Sequence, residues 1–275
     1  MAAPLVVAEI GLNHDGELWA AKTLISLAAS LGVDFVKFQK RNIDVCYKRQ
    51  YLDTRKVTRW GTTVRDEKLG LEFNEKQYDA IAEHCAKEGI GWFASPYTSG
   101  DVEFLEKYNL PYIKIASQCV CNPDLMQAVR ETGRKVIVST GMCTKESLGD
   151  VVSFFGDSLV YILHCTLTYP TDDKDVNLSA MVTMQREYPT KKIGFSSHSQ
   201  KIIYPVAAVA LGAEMVEFHV TLDRNWDGPD HAASVGPVGF ARVMSHIESL
   251  RVGRGSGIIA PHEGAIKKSS NYAWR

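Results

Sequence analysis

The sequence predicts a single α/β domain of the (β/α)8 TIM barrel class, and three observations lead there. Short β-branched runs alternate with amphipathic helical stretches, and the alternation repeats eight times. Strict alternation implies parallel βαβ units whose short apolar strands are buried on both faces. The length, 275 residues, suits one such barrel. No GxGxxG follows the first apolar run, which disfavours an open dinucleotide-binding sheet.

Taken in order, the strands are expected at 5–10, 35–39, 91–94, 112–115, 135–139, 160–164, 193–195 and 215–220. Helices are expected between and after them, near 19–31, 74–89, 100–108, 123–132, 145–155, 177–188, 201–211 and 238–251. Asn74 with Gln77 has capping-box spacing. Gly32, Gly89 and Gly212 each follow a helical run, where a left-handed residue closes the helix. The segment 41–73 reads as one long irregular connection, a length typical of functional lids. The barrel is assigned to 1–252 and a short C-terminal extension to 253–275.

Composition excludes several classes. Thirty-one basic residues balance 32 acidic ones without a basic run, so no nucleic-acid footprint is expected. No stretch approaches the ~20 apolar residues of a membrane span. The first residues read as a buried strand and not as a signal peptide. Six cysteines lie at 46, 85, 119, 121, 143 and 165 without a CxxC pair, as in a reduced, cytoplasmic protein.

Reactive groups of such barrels sit at the C-terminal strand ends. Those positions hold Glu9, Asn13 and His14; Lys37 and Gln39; Ser95; Lys114 and Ser117; Ser139; His164 and Tyr169; Ser196 and His198; Glu217 and His219; and then Asp230 with His231. Lysines with hydroxyls suit a small ligand bearing phosphate and carboxylate. Imidazoles on adjacent strands can share a divalent metal, which polarises a carbonyl or activates water. Phosphate, carboxylate, metal and aldehyde together suggest an aldol-type condensation of phosphoenolpyruvate.

A resemblance sharpens this. The strings Ala8-Glu-Ile-Gly-Leu-Asn-His14, Val36-Lys-Phe-Gln39, Lys114-Ile-Ala-Ser117, Ser139-Thr-Gly-Met142 and His164-Cys-Thr166 resemble the sialic acid synthase (N-acylneuraminate synthase) family. Tyr169-Pro170, Asp175-Val-Asn-Leu178, Ala207–Ala213, Thr221-Leu-Asp-Arg224 and Gly228-Pro-Asp-His231 continue the match in order. The resemblance implies a divalent ion held by His198 and His219, manganese first, with magnesium or cobalt as alternatives. It assigns phosphoenolpyruvate to Lys37, Ser95, Lys114, Ser117, Ser139 and Ser196, and the sugar to Gln39, Tyr169 and Asp230. Glu9, His198 and His219 are the expected catalytic residues. The partners it implies are phosphoenolpyruvate and a sugar aldehyde, with a homodimer as assembly.

The chain departs from the family pattern where Gln118 and Cys119 stand in place of an acid-containing motif, and where Leu167 replaces a polar residue. Ser197 precedes the first metal histidine where aspartate or glycine is usual. Phe218 replaces a basic residue beside the second, with its side chain expected to point away from the mouth. The C-terminal antifreeze-like domain of many members has no counterpart in this sequence. These departures keep alternatives open: a synthase of another 3-deoxy-ulosonic acid, or a catalytically silent sugar-binding barrel. Lys114 is also weighed as a Schiff-base lysine. His164 is balanced between site and support, whereas His84 and His246 read as surface or structural. Cys119 and Cys121 read as inert packing, and the tryptophans, Trp274 included, form no cofactor box.

Overall fold

The computed structural model describes residues 3–269 and 271–272, so Trp274 lies outside the described residues. Eight parallel strands close on themselves: β1 (Leu5–Gly11), β2 (Phe35–Lys40), β3 (Gly91–Pro96), β4 (Ile113–Ile115), β5 (Val136–Ser139), β6 (Leu159–His164), β7 (Lys192–Ser197) and β8 (Met215–His219). β1 pairs with β2 on one side and β8 on the other, with Glu9 opposite both Lys37 and His219. The chain is therefore a (β/α)8 TIM barrel, as the alternation implied. Runs such as Val6-Val7 and Val136-Ile137-Val138 suit strands because branched side chains pack on a pleated surface buried on both faces.

The outer layer is α1 (Leu18–Ser30), α2 (Glu75–Glu88), α3 (Ser99–Glu106), α4 (Pro123–Glu131), α5 (Lys145–Phe155), α6 (Leu178–Glu187), α7 (Ile203–Ala210) and α8 (Pro237–Gly253). Asn74 and Gln77 form the expected capping box of α2, and Gly89 closes that helix in the left-handed region. Thr98 with Asp101 and Thr144 with Ser147 cap α3 and α5 in the same way. Gly32 and Gly212 also take positive φ after their helices.

Strand alternation positions the site. On β8, Glu217 and His219 face the barrel axis, while Phe218 points outward onto Phe240 of α8, 5.5 Å between ring centroids. The same rule sets Lys37 and Gln39 inward on β2. Expected and observed strand starts differ by one residue on β4, β5, β6 and β7, and β8 stops at His219. Val220 continues only as a single bridge to Val235.

The segment 41–73 requires a correction. It is folded: two single helical turns (Ile43–Cys46 and Arg49–Leu52), a hairpin (Arg55–Thr58 with Gly61–Thr63) and a helix (Val64–Gly70). Thr63 and Asp66 form a capping box for that helix, and Leu52 and Val64 are buried beneath the segment. The pattern is hard to see in sequence because each piece is shorter than a period count needs. Backbone closeness docks the segment on the β1 end: a Cβ on Gly16 would sit 2.0 Å from the Gly70 carbonyl oxygen, and one on Gly70 2.0 Å from Trp60 Cδ1. Arg59 adds an ion pair to Asp15 at 3.0 Å and a hydrogen bond to its carbonyl at 2.9 Å.

Beyond α8, a short helix (Glu263–Ser269) follows, and the described residues from 254 onward contribute nothing to the buried core. The six cysteines are free thiols. Among the described residues, no helix is long and apolar enough to cross a membrane.

Candidate active site

The C-terminal strand ends enclose a cavity lined by eleven of the twelve expected residues: Glu9, Lys37, Gln39, Ser95, Lys114, Ser117, Ser139, Tyr169, Ser196, His198 and His219. The exception is Asp230, whose Oδ2 lies 3.5 Å from His219 Nδ1, beside the cavity and not on its wall. Tyr97, Ala116, Gln118, Leu167 and Glu217 complete the lining. Wider depressions elsewhere, such as that between Pro170–Lys174 and Ser199–Lys201, lack a converging charge set.

At the floor, two lysines and two glutamates form a buried quartet. Lys37 Nζ is 3.1 Å from Glu9 Oε2 and 3.5 Å from Glu217 Oε1, and donates to Ser95 Oγ at 3.2 Å. Lys114 Nζ donates to both oxygens of Glu217, at 3.2 and 3.0 Å, and Ser196 Oγ donates to Glu217 Oε1 at 3.0 Å. Burial alone would raise the Glu217 pKa, but Lys114 and then Lys37 hold it well below the usual carboxylate range. Burial alone would lower Lys37, but Glu217 and Glu9 outweigh it and keep the ammonium charged. For Lys114, burial wins with help from Lys37, so its pKa falls below the ordinary lysine value. Glu217 stood among the strand-end residues of the sequence without an assigned role, and its place two residues before His219 puts it on the inward face of the same strand.

One wall carries a chain of neutral polar groups. Gln39 Nε2 donates to Glu9 Oε1 at 2.8 Å, the Tyr97 hydroxyl donates to Gln39 Oε1 at 3.1 Å, and Gln118 Nε2 donates to that hydroxyl at 2.6 Å. Burial pushes the Cys119 thiol up to about 12, which keeps it a neutral packing group. Ser117 Oγ accepts from the Gly141 N–H at 3.0 Å and lies 2.9 Å from Cys165 Sγ. Ser139 Oγ is buried with no hydrogen-bond partner, so it is a donor and acceptor awaiting one.

The opposite wall holds the histidines, with ring centroids 5.4 Å apart. His198 Nδ1 lies 2.7 Å from the Thr166 carbonyl, which can only accept, so the proton is on Nδ1. The lone pair on Nε2 then faces the Tyr169 hydroxyl at 2.9 Å. Burial, followed by the neighbouring His219, pushes the His198 pKa down to about 3, which is the neutral, metal-competent form. His219 Nδ1 is buried without a hydrogen bond, next to the Asp230 carboxylate. Two imidazoles on adjacent strands fit a divalent ion that keeps its other positions for water and substrate. Among the described residues, no three His, Cys, Asp or Glu side chains gather to hold a metal unaided.

The remaining candidates are supports. His164 Nε2 lies 3.0 Å from the Val176 carbonyl and anchors the loop before α6, and burial lowers its pKa. His231 is fully buried between Asp15 Oδ1 (2.9 Å) and Thr221 Oγ1 (2.7 Å). Trp226 packs edge-on against Trp19 and His231. His84 bonds Ser26 on the neighbouring α1.

Comparison with known proteins gives concordant results. The NeuB family model matches residues 24–258. The N-acetylneuraminate-9-phosphate synthase of Homo sapiens is 34% identical over 255 residues, covering 91% of this chain and 71% of that protein. The N,N'-diacetyllegionaminic acid synthase of Campylobacter jejuni is 32% identical, covering 94% and 79%. Among solved structures, N-acetylneuraminic acid (sialic acid) synthetase from Leptospira borgpetersenii superposes with a TM-score of 0.85 at 31% identity, covering 97% of this chain and 90% of that one.

Proposed function

Because the chain belongs to the NeuB family, we propose that it is a transferase that joins phosphoenolpyruvate to a sugar aldehyde, releasing phosphate and a 2-keto-3-deoxy sugar acid. The observation that carries this reading is the Lys37–Glu9–Glu217–Lys114 quartet ringed by serine hydroxyls and set beside His198 and His219. Such a floor binds a small dianionic head with an adjacent carboxylate, while the histidine wall faces a carbonyl.

In the proposed reaction, Lys37, Lys114 and the hydroxyls of Ser95, Ser117, Ser139 and Ser196 hold the phosphate and carboxylate of phosphoenolpyruvate. Carbon 3 attacks the aldehyde carbon, water adds at carbon 2, and the carbon–oxygen bond to phosphate breaks. Glu9, whose Oε2 is ion-paired with Lys37 at 3.1 Å, is the carboxylate to which we assign the proton from that water. Gln39 fixes the other Glu9 oxygen, and Tyr169 with Gln39 meets the sugar. A divalent ion on His198 and His219, manganese in our reading, supplies Lewis-acid polarisation of the aldehyde when bound. Asp230 faces His219 Nδ1, so it also orients that imidazole.

The test is phosphate release from phosphoenolpyruvate with manganese and a panel of hexosamines and pentoses, with and without EDTA. Release that requires both the metal and one aldehyde is the expected result. Bound metal with no release from any acceptor would overturn the assignment and favour a silent sugar-binding barrel.

A further inference from the structure

The wall of neutral polar groups has a direction. Its members come from three neighbouring strand ends: Gln39 from β2, Tyr97 one residue past β3, and Gln118 in the single turn Ser117–Cys119 after β4. The backbones of the first two are held. The Tyr78 hydroxyl donates to the Gln39 carbonyl at 2.8 Å, and the Tyr97 N–H donates to the Lys40 carbonyl at 3.1 Å. The three side chains then meet in series on one side of the cavity.

Proton counting fixes which way each bond runs. The Glu9 carboxylate can only accept, so Gln39 turns Nε2 towards it and Oε1 towards Tyr97. That amide oxygen has no proton, so the Tyr97 hydroxyl must give its single one there. Burial keeps the hydroxyl protonated, with its pKa well above the ordinary phenol value. The Tyr97 oxygen is left as an acceptor, and the Gln118 amide nitrogen fills it at 2.6 Å. Every donor in the series therefore points towards Glu9, an alignment in which each bond strengthens the next. Lys37, 3.1 Å from Oε2, holds the other side of the same carboxylate. A carboxylate at position 118 would draw the Tyr97 proton outward and undo this order.

We propose that Tyr97 and Gln118 are positioning residues for Glu9, which through Gln39 hold the carboxylate in the orientation that takes a proton from water. This rests on the condensation reading, in which Glu9 has that task. The two residues act at one and two removes from Gln39 and Glu9. Their loss therefore lowers turnover and leaves the lysine and serine contacts to phosphoenolpyruvate in place.

Steady-state kinetics with manganese and phosphoenolpyruvate provide the test, with the hexosamine or pentose that gives the fastest wild-type phosphate release. Tyr97→Phe keeps the ring and is expected to lower kcat about 3- to 10-fold, the worth of one hydrogen bond, with the KM for phosphoenolpyruvate unchanged. Gln118→Glu, which reverses the hydroxyl, should lower kcat at least as far. Gln118→Ala leaves the Tyr97 proton on Gln39, so its loss should stay below about 3-fold. Gln118 is exposed, so neither of its variants disturbs the core. In a Tyr97→Phe background, Gln118→Glu should have no further effect, whereas a bare charge effect would persist. An unchanged kcat in Tyr97→Phe, equal losses in the two Gln118 variants, or a Gln118→Glu effect that survives without the hydroxyl would overturn the proposal. So would a Tyr97→Phe loss confined to the KM of the sugar, which would mark a direct sugar contact. A wild-type chain that releases no phosphate with any acceptor would instead sink the condensation reading, and the positioning role with it.

Discussion

His14 shows how a single residue outside the reacting set leaves a mark on the whole protein. It stacks on Phe73 at 3.9 Å, and its Nδ1 accepts from the Gly16 N–H at 3.0 Å. Burial first and Arg41 second push its pKa down to about 3. His198 is held equally low. Both values lie below the unfolded 6.5, so between pH 6.5 and 3 the unfolded chain takes up protons that the folded chain refuses. This stability is therefore complete above pH 6.5 and is lost as pH falls through that window. Each histidine accounts for about 1.4 kcal/mol per pH unit. Urea unfolding at pH 7 and pH 5 should show the loss, and His14→Gln should shrink it by about 2 kcal/mol; an unaltered pH dependence would mean that His14 does not titrate as described. At this scale the sequence was largely legible, because strand ends and period two name inward residues without coordinates. Asp230 lies beside the cavity and not on its wall because its loop leaves the strand, where period two no longer applies. Glu217 was named at its strand end but given no role, because a carboxylate between lysines has no motif of its own.

The element that was least legible is the segment 41–73. Its docking depends on two glycines whose backbones nearly touch, a contact that no local pattern announces. Gly70→Ala drives a Cβ into the Trp60 ring, so the segment should lift while the barrel stays folded. Limited proteolysis should then cut within 41–73, with the remaining barrel keeping its far-ultraviolet circular dichroism. Retained protection would show that Trp60 moves aside at little cost. The helices were easier to foresee because capping residues and C-terminal glycines mark their ends, as Asn74 and Gly89 do for α2.

At the scale of the whole molecule, the barrel floor is electrically balanced: Lys37 and Lys114 offset Glu9 and Glu217. Phosphoenolpyruvate brings about three negative charges to that balanced site at neutral pH. A divalent ion beside it removes most of the excess, so the two ligands should bind cooperatively. Titration calorimetry is expected to give an affinity for phosphoenolpyruvate at least ~10-fold weaker after EDTA treatment than with manganese; equal affinities would argue against a metal on the histidine wall. The barrel topology itself was legible because eight alternations leave few ways to bury every strand twice. The seam of the barrel also dictates an order of assembly. Asn13 Nδ2 donates to the Val220 carbonyl and to Ser234 Oγ, both at 2.8 Å, and Glu9 finds its β8 neighbour only at His219. A ribosome adding 5–20 residues per second holds β1 without that neighbour for roughly 10–40 seconds. The cavity is thus the last part of the nascent barrel to exist, and a chain broken off before β8 would carry most of its helices but no reaction centre.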